Sequence, residues 1–177
     1  MPLAGLPIGK RSALLLDKEN MTKYSISPMS SLYELYLRHP RISTDSRRIE
    51  PDSVFFALRG GSFDGNRFAA DALEKGAAYA VVDDPSLPNT RPDKADRLIV
   101  VDDALQTLQT LAREHRRELG LPILTITGSN GKTTTKELVS RVLAEKYEVY
   151  ATRGNLNNHI GVPLTLLAMT RDVEFGI

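Results

Sequence analysis

An α/β fold is what this sequence predicts: a small N-terminal α/β domain, then the first part of a parallel-sheet domain built on a phosphate-binding loop. Three observations predict it. Short apolar runs at Val54 to Leu58, Ala78 to Val82 and Leu98 to Val101 alternate with stripes at helical spacing, as βαβ units require. A glycine loop closed by a lysine, Gly128-Ser129-Asn130-Gly131-Lys132-Thr133, stands between an apolar run and a further stripe. A second polar loop, Arg153 to Pro163, follows the next strand-like run and leads into an apolar helix.

Composition sets the outer bounds. With 177 residues, 41% hydrophobic and 25% charged, the chain is long enough for one or two domains with a core of their own. A net charge of +1 argues against a nucleic-acid binder working through bulk electrostatics. No cysteine is present, which excludes disulfides and thiolate metal sites, and His39, His115 and His159 are too scattered for a zinc cluster. The longest apolar run near the N-terminus, Ala13-Leu14-Leu15-Leu16, is too short for a signal-peptide core or a membrane span, so a cytoplasmic protein without membrane insertion is expected.

Residues 1–28 carry scattered Pro, Gly, Lys and Ser without periodicity and read as a flexible leader, with Met29 a possible physiological start. Leu32, Tyr33, Leu35, Tyr36 and Leu37 make a short helix that stops at His39-Pro40. Ile42 to Arg48 concentrates hydroxyls with Asp45, and two readings stand: turn chemistry, or a hydroxyl-lined anion or sugar pocket containing Thr44 and Ser46, with Arg47 nearby.

After the run Val54 to Leu58 comes a loop with Gly60, Gly61 and Gly65, whose backbone must turn tightly or touch something. Phe63 within it is either a local plug or a stacking surface for a base. Phe68, Ala69, Ala72 and Leu73 stripe a helix closed by Gly76, and residues 84–97 form a proline-rich polar connection. Ala104, Leu105, Leu108, Leu111 and Ala112 stripe the next helix. His115 lies on or beside that stripe as packing, and Leu119-Gly120-Leu121-Pro122 marks a boundary between domains at 29–120 and 121–177.

The glycine loop carries the most specific chemistry. A polyphosphate needs several backbone N–H donors converging on it, and only residues without side chains bring the chain that close. Gly128 and Gly131 supply that approach, Ser129 and Asn130 lie between them, and a helix starting near Lys132 adds free amides and a positive dipole end. The Lys132 ammonium reaches the β and γ phosphates, Thr133 is the natural hydroxyl ligand for Mg²⁺, and Thr134 continues the cradle. The first glycine of the general G-x-x-x-x-G-K-[ST] pattern is replaced by Ile126, leaving G-x-x-G-K-T. Leu138, Val139, Val142 and Leu143 stripe the helix that follows, and Ile123-Leu124 before the loop reads as a buried strand.

Glu148 to Thr152 is the next strand. Asn157, Asn158 and His159 then gather ahead of the helix Leu164 to Met169, as a polar loop or as a substrate site. In an open parallel sheet this loop emerges on the same edge as Gly128, which favours the substrate role.

Together these segments resemble the Mur ligases, ATP-dependent amide-forming enzymes of peptidoglycan synthesis. The residues that carry the resemblance are Thr127 to Thr135, Thr44-Asp45-Ser46-Arg47, Ala57-Leu58-Arg59-Gly60 with Asp64-Gly65, and Gly154 to Pro163; coverage runs from about Ser30 to the C-terminus. The shortened glycine pattern is the family's own form. The resemblance implies an N-terminal domain that holds the UDP end of the substrate, with Thr44, Ser46, Gly61, Ser62 and Phe63 facing the UDP-sugar and Asn157, Asn158 and His159 near its pyrophosphate. It implies a central ATPase domain in which Gly128 to Thr134 hold ATP and Thr133 holds Mg²⁺.

Within the family, the Asn155 to Pro163 segment is most like members that add D-alanyl-D-alanine to UDP-N-acetylmuramoyl-tripeptide through an acyl phosphate. Phe175-Gly176-Ile177 looks like the start of the strand that leads to the family's acidic Mg²⁺ ligand, and Asp172 and Glu174 read as solvated loop charges. A monomeric, truncated and catalytically inactive fragment is therefore expected. Competing readings are a ligase adding the third amino acid, a folate-polyglutamating relative, or a non-catalytic P-loop module. A GTP switch lacks its base-reading motif after the loop, and a Rossmann binder is disfavoured by the G-x-x-G-K spacing.

Overall fold

The computed structural model describes residues 28–154 and 156–177; most of the expected leader, and Asn155, lie outside the described residues. Helix α1 (Pro28–Arg38) leads into β1 (Arg41–Ser43) and β2 (Ser53–Phe56), then a small hairpin of β3 (Arg59–Gly60) and β4 (Phe63–Asp64). A 3-10 turn at Gly65–Phe68 precedes α2 (Ala69–Glu74), β5 (Tyr79–Val82), α3 (Leu87–Thr90), β6 (Leu98–Val100) and the long α4 (Ala104–Leu119). The glycine loop then opens α5 (Lys132–Ala144), followed by β7 (Val149–Tyr150), α6 (Gly161–Leu167) and β8 (Phe175–Gly176).

Strands β1, β2, β5 and β6 pair in that order, all parallel, with Ile42 opposite Val54, Phe55 opposite Ala80 and Val81 opposite Ile99. The two-residue period sends alternate side chains to opposite faces, and both faces are covered. Val54, Phe56, Leu58 and Val81 join Leu32 and Tyr36 of α1, Leu108 and Leu111 of α4 and Leu167 of α6 in one cluster. Phe55, Ala57, Ala80 and Val82 meet Ala69, Ala72 and Leu73 of α2 in the other. Burial of each large side chain contributes roughly 1.5–3 kcal/mol, which is what keeps the thin four-stranded sheet together.

The strands after residue 120 also run parallel. Val149 and Tyr150 pair with Phe175 and Gly176, and Ile123 bridges to Gly176. Helix α4 is bounded by Asp103, whose carboxylate accepts from the Gln106 N–H at 2.8 Å, and by Gly120, whose φ of 63° ends it.

Several expectations are corrected. The run before the glycine loop is not a buried strand: Ile123 makes one isolated bridge, and Leu124 is 38% exposed. The α5 stripe splits, because only Val139 and Leu143 are half-buried on the helix that packs on β7, whereas Leu138 and Val142 face solvent. The proline-rich connection holds α3 and a 3-10 turn (Pro92–Arg97), each with proline in its first turn, where a missing N–H costs nothing. Among the described residues, no helix is long and apolar enough to cross a membrane.

Candidate functional site

The glycine loop is a bare, exposed turn just after the isolated bridge at Ile123. Gly128 has φ of 149° and Gly131, the residue that caps α5, has φ of 77°, a conformation side chains with a Cβ resist. No side chain caps α5, so its first amides, on Lys132, Thr133 and Thr134, stay available to an anion at the positive end of the helix dipole. The Lys132 ammonium turns back to donate to the Gly128 carbonyl. That contact anchors it over the loop, and phosphate oxygens would take the carbonyl's place.

Beside the loop lies a cavity of about 260 Å³, lined by Lys132, Thr133, Lys136, Thr152 and Asn157 over a floor that includes Ile126 and Leu156. Lys136, one turn along α5, donates to the Thr152 carbonyl and pairs with Glu137 at 3.1 Å, fastening α5 to the end of β7. Asn158 Oδ1 accepts from the Ile160 and Gly161 N–H groups at 3.1 and 2.7 Å. The exposed His159 offers its carbonyl to Gln109 Nε2 of α4 at 3.0 Å.

A second group of residues collects at the C-terminal edge of the four-stranded sheet, where ligands of parallel sheets commonly bind. Thr44 to Arg48 turns sharply there: Asp45 accepts from the Arg47 backbone N–H at 3.0 Å and from its guanidinium at 2.9 and 2.8 Å. Those hydrogen bonds hold the Asp45 carboxyl well below the usual carboxylate range. The turn chemistry read from the sequence is thus present, with Ser46 buried inside it and its carbonyl accepting from Lys75 at 2.7 Å.

The β3–β4 hairpin presents Gly61 and Ser62 at an exposed tip. Phe63 stacks on Phe68, centroids 5.6 Å apart and rings 10° from parallel, yet stays 47% exposed. That exposure is more than a buried plug would leave. Beneath it, buried Asn66 donates to Asp64 at 2.8 Å and Asp83 at 2.7 Å and accepts from the Asp83 N–H at 3.1 Å, while Arg59 pairs with Asp83 at 2.8 Å.

Comparison with known proteins settles the family. The catalytic domain of the Mur ligase family matches residues 40–116, and the Mur ligase middle domain matches residues 126–177. This chain belongs to the Mur ligase family. The Bacillus subtilis protein named "UDP-N-acetylmuramoyl-tripeptide--D-alanyl-D-alanine ligase" is 46% identical to it over 136 residues, covering 77% of this chain and 29% of that protein. Its namesake from Synechocystis is 43% identical over 143 residues, covering 80% and 30%. Among solved structures, MurF from Acinetobacter baumannii superposes with a TM-score of 0.69 at 36% identity, covering 77% and 29%. MurF ligase from Thermotoga maritima in complex with ADP does so with 0.68 at 33%, covering 79% and 31%. This Mur ligase chain therefore spans about three tenths of the length of those relatives.

The geometry sorts the residues predicted for a Mur ligase into two places. Lys132, Thr133 and Asn157 line one cavity, with Gly128, Ser129, Asn130, Gly131 and Thr134 in the exposed loop and first turn beside it. Thr44, Ser46, Gly61, Ser62 and Phe63 stand at the edge of the four-stranded sheet and do not line that cavity. Sequence reasoning missed Asn66, Asp83, Lys136 and Gln109, which hold the two places in shape, and gave Arg59 no role beyond the family resemblance. An Asp-x-Asn beside a glycine hairpin is a signal for the first of them; nothing local marks Gln109.

Proposed function

We propose that this chain is the substrate-gripping and nucleotide-gripping portion of a ligase that joins D-alanyl-D-alanine to UDP-N-acetylmuramoyl-tripeptide at the expense of ATP. The observation that carries the reading is the uncapped, glycine-started α5 with Lys132 and Thr133 facing the same cavity as Asn157. We place the division between the UDP-binding and ATP-binding portions at Gly120, where α4 ends.

The α5 amides, the Gly128 to Gly131 backbone and Lys132 bind the ATP phosphates and orient the γ-phosphoryl group toward a carboxylate of the tripeptide. The Thr133 hydroxyl, which lines this cavity, would hold a Mg²⁺ ion, and that ion would supply charge neutralisation for the transferred group. Asn157, Asn158 and His159 contact the pyrophosphate of the UDP-substrate. Thr44, Ser46, Gly61 and Ser62 contact its uridine and sugar, and Phe63 offers its exposed ring to the uracil. A cytoplasmic, monomeric protein acting in cell-wall synthesis, and through it in cell shape and division, is part of the same reading.

Isothermal titration of the 177-residue chain with ADP and with UDP-N-acetylmuramoyl-tripeptide tests it. Binding of both is expected, and indifference to both would sink the proposal. Phe63→Ala should weaken the UDP-substrate by roughly 10-fold, the worth of one base on one aromatic ring, with no change toward ADP. An unchanged UDP-substrate affinity would remove Phe63 from the site.

A further inference from the structure

Helix α6 runs for seven residues, Gly161–Leu167, too few to hold a position unaided. The last carbonyls of any helix lack partners within it. Here a partner comes from elsewhere in the chain: Tyr36 Oη of α1 donates to the Leu167 carbonyl at 2.6 Å, and His115 Nε2 of α4 donates to the carbonyl of Met169, two residues past the helix, at 2.9 Å. Both residues are buried, at 3% and 5% exposure, with the two rings edge to face and 4.9 Å between centroids. Tyr33 Oη lies 3.1 Å from His115 Nδ1 and Tyr36 Oη 3.3 Å from His115 Nε2, so both tyrosines reach the ring that holds the Met169 carbonyl. Burial pushes the Tyr36 phenol well up, so it stays a donor.

The other end of the same segment is held by α4 as well, through Gln109 and the His159 carbonyl. One long helix therefore spans the segment from loop to far end. Met169, whose carbonyl His115 holds, also lines the cavity that contains Lys132.

We propose that Tyr36 and His115 are positioning residues for the Asn157–His159 loop: by holding the far end of α6, they fix where that loop stands relative to the four-stranded sheet. The consequence for ligand rests on the reading of Asn157 to His159 as pyrophosphate contacts. The consequence for the loop itself does not.

The test compares Tyr36→Phe, His115→Leu and His115→Gln in the 177-residue chain. Gln keeps an N–H that can reach the Met169 carbonyl. Hydrogen exchange read by mass spectrometry should quicken about 10-fold across residues 157–169 in Tyr36→Phe and His115→Leu, stay unchanged across α5, and return toward wild type in His115→Gln. Affinity for UDP-N-acetylmuramoyl-tripeptide should fall about 5- to 10-fold in the first two variants and recover in the third, while ADP affinity holds. Unchanged exchange across 157–169 in Tyr36→Phe overturns the proposal even if His115→Leu does not fold, as does exchange quickened equally throughout the chain. Altered exchange with unaltered affinity leaves the positioning standing and removes Asn157 to His159 from the pyrophosphate site. If the wild-type chain ignores the UDP-substrate while the exchange pattern and its rescue appear, the positioning stands and the substrate reading falls.

Discussion

Lys132→Ala should lower the affinity of the chain for ADP by about 10- to 100-fold and leave its melting temperature within about 2 °C of wild type. The size follows from the bonds at stake: hydrogen bonds from an ammonium to phosphate oxygens contribute roughly 1.5–3 kcal/mol in all. The selectivity follows from where Lys132 sits. It is the first residue of α5, on a loop without a side-chain cap, and among the described residues its ammonium donates to the Gly128 carbonyl of its own loop. Removing it costs a local contact and no core packing. Lys132→Arg should rescue poorly, because a planar fork does not reproduce a compact point charge above a loop this tight. Titration of each variant with ADP, beside thermal melts, decides the matter. An ADP affinity for Lys132→Ala within about threefold of wild type would remove Lys132 from the nucleotide site.

Gly65→Ala should be the most damaging substitution in the four-stranded part of the fold, costing about 3 kcal/mol and lowering the melting temperature by roughly 6–12 °C. A Cβ at Gly65 would lie 2.5 Å from the Leu58 carbonyl oxygen and 2.7 Å from both Ala57 C and Leu58 N, all of them backbone atoms. No side chain can rotate away to make room. The Gly65 N–H also donates to Leu58 O at 2.9 Å, so the same close approach ties the 3-10 turn to the end of β2. Because the β3–β4 hairpin stands on this junction, the substitution should weaken the UDP-substrate as well as the fold. A melting temperature unchanged to within about 2 °C would show that the backbone gives way at little cost.

The parts of the fold legible in the sequence were those that local chemistry dictates. The apolar runs at 78–82 and 98–101 each contain the strand observed, and the run at 54–58 overlaps β2 (Ser53–Phe56), because so many adjacent apolar residues need a buried place. The break read at Leu119-Gly120 is where α4 ends, at Gly120 in the left-handed conformation. The glycine loop was legible because Gly128, Gly131 and Lys132 are tied to one chemistry at one spacing. What escaped notice depends on contacts between distant segments. Asn66 and Asp83 are seventeen residues apart, and Tyr36 and Leu167 are separated by 131; spacing along a chain carries no trace of such partners. His115 looked like packing, and it does pack, but its hydrogen bonds to Tyr33 and Met169 give it a second employment that periodicity could not reveal. The outward turn of Leu138 and Val142 was likewise invisible, since a stripe says which residues are apolar and not which of them find a neighbour.

Leu167 belongs to the same buried cluster as Val54, Phe56 and Leu108. The glycine that ends α4 is thus a seam in the chain without being a seam in the energy. A cut at Gly120 would strip a wall from the first half and leave it greasy. Swapping either half for that of a cousin would succeed only if the graft carried α6 and its seat together, so the natural unit of inheritance is the pair.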